Sequence, residues 1–304
     1  RARIFQYMAT EVLSTFEQLK CRVKEEPMKG LTLTFVCALL FLTPIVICHS
    51  FNNPFVEAKQ IFVGFVITFL FVVWLIGSHF KKNFLLPGDK AAKVFGGFIL
   101  WQLVTFLWSA SLHLSLRAWA LQLAFFFFYC IVVTNIRSTR LRLFLLFCPV
   151  LAASLVSALA LLQYYELDVH ILPHLRVRGL FNMGVLIMLK RAETNVKIYS
   201  FLGHRNYVAG YLMACVPLLV TLFIVWFQRF VTEKRTLGKV LLLLFLAITK
   251  IMTLATIVLT HTRGSWVGLA AGLFVYLLCV CKALGRKEVR NLFFVIFVLI
   301  VIFM

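Results

Sequence analysis

Residues 60–79 read QIFVGFVITFLFVVWLIGSH, twenty positions without a Lys, Arg, Asp or Glu. A helix of about 20 mainly apolar residues is what crosses the hydrocarbon core of a bilayer. Outward from this run, the same length and apolarity recur near 31–48, 94–112, 118–136, 143–163, 206–227, 240–260, 265–281 and 291–304. Composition agrees with that pattern: 62% of the 304 residues are hydrophobic and 14% charged, with a mean hydropathy of +0.97. Soluble domains carry about 25% charged residues. The reading is an all-α, polytopic transmembrane helical bundle of about nine helices. A soluble enzyme and a disordered chain are excluded.

The chain is also strongly basic, with 31 Lys and Arg against 11 Asp and Glu. These cations sit in short clusters between the apolar runs, which is the pattern that orients membrane helices rather than a groove for nucleic acid. Segments 1–29, 80–93, 137–142, 228–239 and 282–290 hold six, four, three, four and four of them, together 21. The alternate loops hold nine: Lys59, Arg117, Arg263 and six in 164–205. The first set is expected on the cytoplasmic side, so the N-terminus is inside and 164–205 is a long extracytoplasmic loop.

Segment 1–29 interleaves Phe5, Tyr7, Val12, Phe16 and Leu19 with Arg3, Glu11, Glu17 and Lys20. It is expected as an amphipathic interfacial helix rather than a signal peptide. Residues 30–304 form the transmembrane domain, expected to be incomplete because its last apolar run stops at Met304. Within the long loop, 179–189 is apolar but too short to span, and reads as an interfacial or re-entrant piece. Eight Cys include no CxxC pair or Cys/His ligand spacing, so most fill helix packing. Lys250 lies well inside an apolar run, where an ammonium needs a cavity or a partner; a functional role and a structural pairing both remain open.

Two segments place rigid polar groups at the outer ends of apolar runs. One is Gly203-His204-Arg205-Asn206-Tyr207-Val208-Ala209-Gly210-Tyr211-Leu212. The other is Thr260-His261-Thr262-Arg263-Gly264-Ser265-Trp266-Val267-Gly268. Asn206 is expected to cap the first helix, and Thr262 or Ser265 the second. Both positive helix ends would then face the same aqueous side, with Arg205 and Arg263 adding full charges. Arg grips phosphate oxygens with a forked donor set that Lys lacks. The pair therefore reads as a diphosphate site, with anchoring at lipid headgroups as the plainer alternative. Six of the seven His (His49, His113, His170, His174, His204 and His261) fall on the outer side, as do the acids Glu57, Glu166, Asp168 and Glu193. Arg176 and Arg178 in the outer loop are candidates for sugar or phosphate binding, or simply solvated.

In their order these pieces resemble the O-antigen ligase and O-antigen polymerase superfamily of bacterial membrane glycosyltransferases. The likeness rests on the two segments above, on Phe41-Leu42-Thr43-Pro44-Ile45 with Asn53-Pro54-Phe55-Val56-Glu57-Ala58-Lys59, and on Trp108-Ser109-Ala110-Ser111-Leu112-His113-Leu114-Ser115-Leu116. It covers roughly residues 31–281.

The resemblance implies a multi-pass protein of the bacterial cytoplasmic membrane, working on its outer face. It implies transfer of a glycan from an undecaprenyl-diphosphate-linked donor to an acceptor hydroxyl. Arg205 and Arg263 would stabilise the departing diphosphate, the electrostatic contribution expected to dominate. Family members carry a catalytic His in a large outer loop after the ninth helix or so; the general base is expected in that loop, past Met304, with His204 or His261 as second choices. Asn206, Thr262, Arg176 and Arg178 would bind substrate. No nucleotide motif or acidic metal cluster is present in the sequence, so no cofactor and no metal are expected. Membrane lipid, the lipid-linked glycan and other proteins of a membrane complex are the expected partners. The alternative is a non-catalytic relative serving as a structural subunit. A transporter would show inverted repeats or matched broken helices, and the sequence has neither.

Overall fold

The computed structural model describes residues 27–48, 51, 53–80, 87–136, 138–165, 167–172, 186–191, 198–232 and 236–283. Among them are eight α-helices: α1 (Pro27–Leu42), α2 (Glu57–Phe80), α3 (Lys90–Val104), α4 (Leu112–Asn135), α5 (Thr139–Tyr164), α6 (Arg205–Thr232), α7 (Leu237–Leu259) and α8 (Arg263–Ala283). Each coincides with one of the first eight apolar runs. Six stretches, including the 3₁₀ extension of α3, are long and apolar enough to cross a membrane: Glu57–Ser78, Lys90–Trp108, Leu112–Asn135, Leu141–Tyr164, Arg205–Thr232 and Leu237–Leu259. These are the features of a multi-pass membrane protein. The run at 291–304 and the segment 1–26 lie outside the described residues.

Helix ends follow local chemistry. The first apolar run extends to residue 48, yet α1 stops at Leu42, because Pro44 disfavours helical backbone at Thr43 and has no N–H of its own. Asp89 caps α3, its carboxylate accepting the Ala92 N–H at 3.3 Å. One part of the long loop is not helical. Strands β1 (Leu167–Leu172) and β2 (Leu186–Arg191) pair antiparallel, with Leu167 opposite Arg191 and Leu172 opposite Leu186. The end of the 179–189 stretch therefore belongs to a strand. In the sequence β1 alternates Leu167, Val169 and Ile171 with Asp168 and His170, a period that suits a strand and not a helix.

The chain divides into two compact units, Arg1–Thr43 with Glu57–Leu145, and Pro44–Val56 with Leu146–Met304. The division falls inside α5, four residues before Pro149, whose missing N–H leaves the Leu145 carbonyl without its helical donor. In the first unit, Leu33, Val36 and Leu39 of α1 meet Val63, Val66, Ile67, Leu70 and Trp74 of α2, with Ile131 of α4. On the opposite face of α2, Ile61, Phe65, Val72 and Ile76 are exposed. A helix apolar on all sides suits a membrane span.

In the second unit Ala153, Val156 and Ala160 of α5 pack with Val208, Leu212, Cys215 and Val216 of α6 and Ile257 of α7. Trp266, Leu269 and Leu273 of α8 close this cluster. Ala153, Val156 and Ala160 of α5 are fully buried in it. Ser157 and Thr253, both buried, share a hydrogen bond of 3.3 Å between α5 and α7. Such bonds contribute about 0.6 kcal/mol in a membrane protein. The Lys250 ammonium, in α7, lies 4.5 Å from the centroid of the Phe223 ring of α6. A cation–π contact is thus the partner found for it.

Candidate functional site

Within the second unit α6 and α8 run parallel. Their contacts keep an almost constant sequence offset: Asn206 with Thr262, Met213 with Gly268, and Thr221 with Tyr276. Parallel alignment brings the N-terminus of α6 beside that of α8. The Thr262 hydroxyl donates to Asn206 Oδ1 at 3.4 Å, so the two motifs singled out in the sequence meet. Arg205 and Arg263 each open their helix and are exposed. Among the described residues neither guanidinium has a hydrogen bond or ion pair. Two helix N-termini and two unengaged Arg side chains make this end of the unit a strongly anion-favouring place.

The cap of α6 differs from the sequence expectation. His204, not Asn206, holds the cap position of α6, and its Nδ1 accepts the Asn206 N–H at 3.2 Å. Asn206 lies inside the first turn, which frees its carboxamide to receive Thr262. Thr262 does precede α8, but its hydroxyl reaches across to α6. Ser265 is buried within the helix. An imidazole competes as a cap here because residues 199–203 aim it at the helix start.

That aim comes from a buried Gln. Gln163, near the end of α5, accepts the N–H groups of Tyr199 (3.2 Å) and Ser200 (2.8 Å) on Oε1. The Ser200 hydroxyl donates to the Val156 carbonyl at 2.9 Å. These bonds hold Ser200 at φ 45°, a left-handed conformation rare for a residue with a Cβ. A 3₁₀ turn, Ser200–Leu202, follows, and Gly203 at φ 76° reverses the chain into α6. The ring of Phe55 lies directly over Gly203; a Cβ there would overlap it. Phe55 belongs to a turn in which Asn53 Oδ1 accepts the Val56 N–H at 3.2 Å and the Pro54 carbonyl accepts the Cys48 N–H at 3.2 Å.

At the other helix start, His261 is left-handed too, at φ 51°. It follows Thr260, the C-cap of α7, at a position where Gly is the usual residue. Holding a His there costs about 1–2 kcal/mol. Trp266 Nε1 donates to the Ile257 carbonyl at 3.2 Å, and Thr260 Oγ1 donates to the same oxygen at 2.7 Å. The corner between α7 and α8 is thereby fixed.

Between the Asn53–Val56 turn and the start of α6 lies a cavity of about 310 Å³. Asn53, Phe55 and Val56 line one side; Leu202, Gly203, His204, Asn206 and Tyr207 line the other. Of the candidates expected from sequence, His204, Arg205, Asn206, His261, Thr262 and Arg263 share this end of the unit. Arg176 and Arg178 lie outside the described residues. Asn53, Phe55, Tyr207 and Gln163 were not singled out as site residues. An Asn-Pro turn signal marks the first two, whereas nothing local marks Gln163. Among the described residues no three His, Cys, Asp or Glu side chains come together to hold a metal ion. No family model, curated protein or solved structure matches this chain.

Proposed function

We propose that this protein is a membrane glycosyltransferase of the O-antigen ligase type. It moves a glycan from an undecaprenyl-diphosphate-linked donor to an acceptor hydroxyl at the outer face of the bacterial cytoplasmic membrane. The observation that carries the reading is that Arg205 and Arg263, exposed and unengaged among the described residues, open two parallel helices whose first turns are tied through Asn206 and Thr262. A diphosphate leaving group accumulates negative charge as its bond to the sugar breaks, and preorganised donors lower that barrier. In the reaction the acceptor oxygen bonds to the anomeric carbon, the bond from that carbon to phosphate breaks, and the acceptor proton passes to a base. His204 through Nε2, its Nδ1 being engaged, and His261 are the imidazoles within the site.

The test is transfer from a lipid-linked glycan by the full chain in membranes. Arg263→Lys keeps the charge and loses the fork; it and Arg263→Ala should each lower transfer by about 10²–10³ with insertion unchanged. Arg178→Ala should do much less. Wild-type protein that stays inert across varied donors and acceptors would overturn the reading in favour of a structural subunit. Orientation belongs to the same proposal and rests on the Lys and Arg count. In a Cys-free background, an impermeant thiol reagent should label Asn195→Cys and spare Thr236→Cys.

A further inference from the structure

The cavity beside His204 has a one-sided polarity. Asn53 Oδ1 is taken by the Val56 N–H, Asn206 Oδ1 by the Thr262 hydroxyl and His204 Nδ1 by the Asn206 N–H. A neutral imidazole that accepts on Nδ1 carries its proton on Nε2. What remains to face a ligand is two carboxamide NH₂ groups, one imidazole N–H and the Tyr207 hydroxyl. Among the described residues no carboxylate lines the space, and Phe55, Val56 and Leu202 give it an apolar wall. Its volume lies at the lower end of the range for small-molecule sites.

From this we infer that the cavity is a subsite for one sugar residue carrying an acceptor-only substituent. The acetamido carbonyl of an amino sugar and the carboxylate of a uronic acid share that chemistry. The apolar face of the ring would lie on Phe55, and the substituent oxygen would collect the N–H donors. Among the lining side chains donors outnumber unengaged acceptor atoms, of which the Tyr207 oxygen is one. A carbonyl or carboxylate oxygen can take several of those donors at once, whereas a plain hydroxyl takes fewer and brings a proton of its own to place. The inference rests on the transferase reading, since it places a glycan unit beside the diphosphate site.

The experiment uses the full chain in lipid nanodiscs and saturation-transfer NMR with the methyl glycosides of N-acetylglucosamine, glucuronic acid and glucose. One or both substituted sugars should bind about tenfold more tightly than glucose, or better; which of them does so identifies the substituent. Asn53→Asp keeps the oxygen that holds Val56 and replaces the outward donor with an acceptor. It should erase the preference while the unfolding midpoint stays unchanged. Equal binding of all three sugars, binding of none, or an unaltered preference in Asn53→Asp would overturn the subsite. Sugar preference in a protein without transfer activity would overturn the transferase reading alone, and transfer without sugar preference would overturn the subsite alone.

Discussion

Asn206 and Thr262, 56 residues apart in sequence, are joined by a hydrogen bond of 3.4 Å from the Thr262 hydroxyl to the Asn206 carboxamide oxygen. Each is adjacent in sequence to one of the two candidate Arg residues, so this bond couples the two halves of the site. A double-mutant cycle with Asn206→Ala and Thr262→Val, read by reversible unfolding in bicelles, should give a coupling of about 0.6 kcal/mol and no more than about 1.7. Strict additivity would mean that the two helix starts are positioned independently.

Two glycines permit close approach, but with different neighbours. At Gly203 a methyl group would meet the Phe55 ring at a position that also has positive φ. At Gly268 it would meet Met213 Sδ at 2.5 Å, in a thioether chain that can rotate away. Gly203→Ala should therefore destabilise the protein by about 2 kcal/mol or more, and Gly268→Ala by about 1 kcal/mol or less. Equal effects in thermal unfolding would remove the Phe55–Gly203 contact from the account.

Gln163→Leu would leave the Tyr199 and Ser200 N–H groups without their acceptor. Each such loss costs about 1–3 kcal/mol. Amide exchange at residues 199 and 200 should accelerate by at least about tenfold, at 1.4 kcal/mol per factor of ten. Gln163→Glu, which keeps an acceptor oxygen, should slow that exchange again. Protection unchanged in Gln163→Leu would contradict the anchoring role.

In the first unit, the Tyr129 hydroxyl donates to the Asp89 carboxylate and holds it below its ordinary pKa of 3.8. A depressed carboxyl pKa adds stability that is present above the unfolded value and lost as pH falls through the folded one. Asp89 should titrate below 3.8 in carbon-detected NMR, and Tyr129→Phe should bring it back toward that value. Between about pH 4 and 2, wild-type stability should fall more steeply than that of Tyr129→Phe. A titration unmoved by the substitution would contradict the pairing.

The helices were legible because a spanning run announces itself by length and apolarity alone: residues 60–79 and α2 coincide almost end to end. The strand pair was not, since six residues such as Leu167–Leu172 carry too little pattern to stand out within a polar loop. Arg205 and Arg263 could be singled out because each begins a helix. That their two helix starts lie side by side could be inferred only from a shared side of the membrane; the Asn206–Thr262 bond and the parallel run of α6 and α8 are tertiary facts. The cap of α6 was misread because propensity ranks Asn above His, while Gln163 and Phe55, acting from other segments, fix where the imidazole lands. Gln163 shows the limit most plainly. In sequence it is one more polar residue at the end of an apolar run, and its two backbone partners lie 36 and 37 residues away.

His261 has a practical consequence for anyone who engineers this chain. A selection for heat resistance, blind to activity, would favour Gly at 261, because the left-handed backbone there is free of penalty only without a Cβ. If the imidazole serves as the base, the sturdiest descendants of such a campaign would be the ones that no longer turn over. Robustness and turnover would then compete at a single codon, and a library diversified at that codon and screened for both would expose the trade directly.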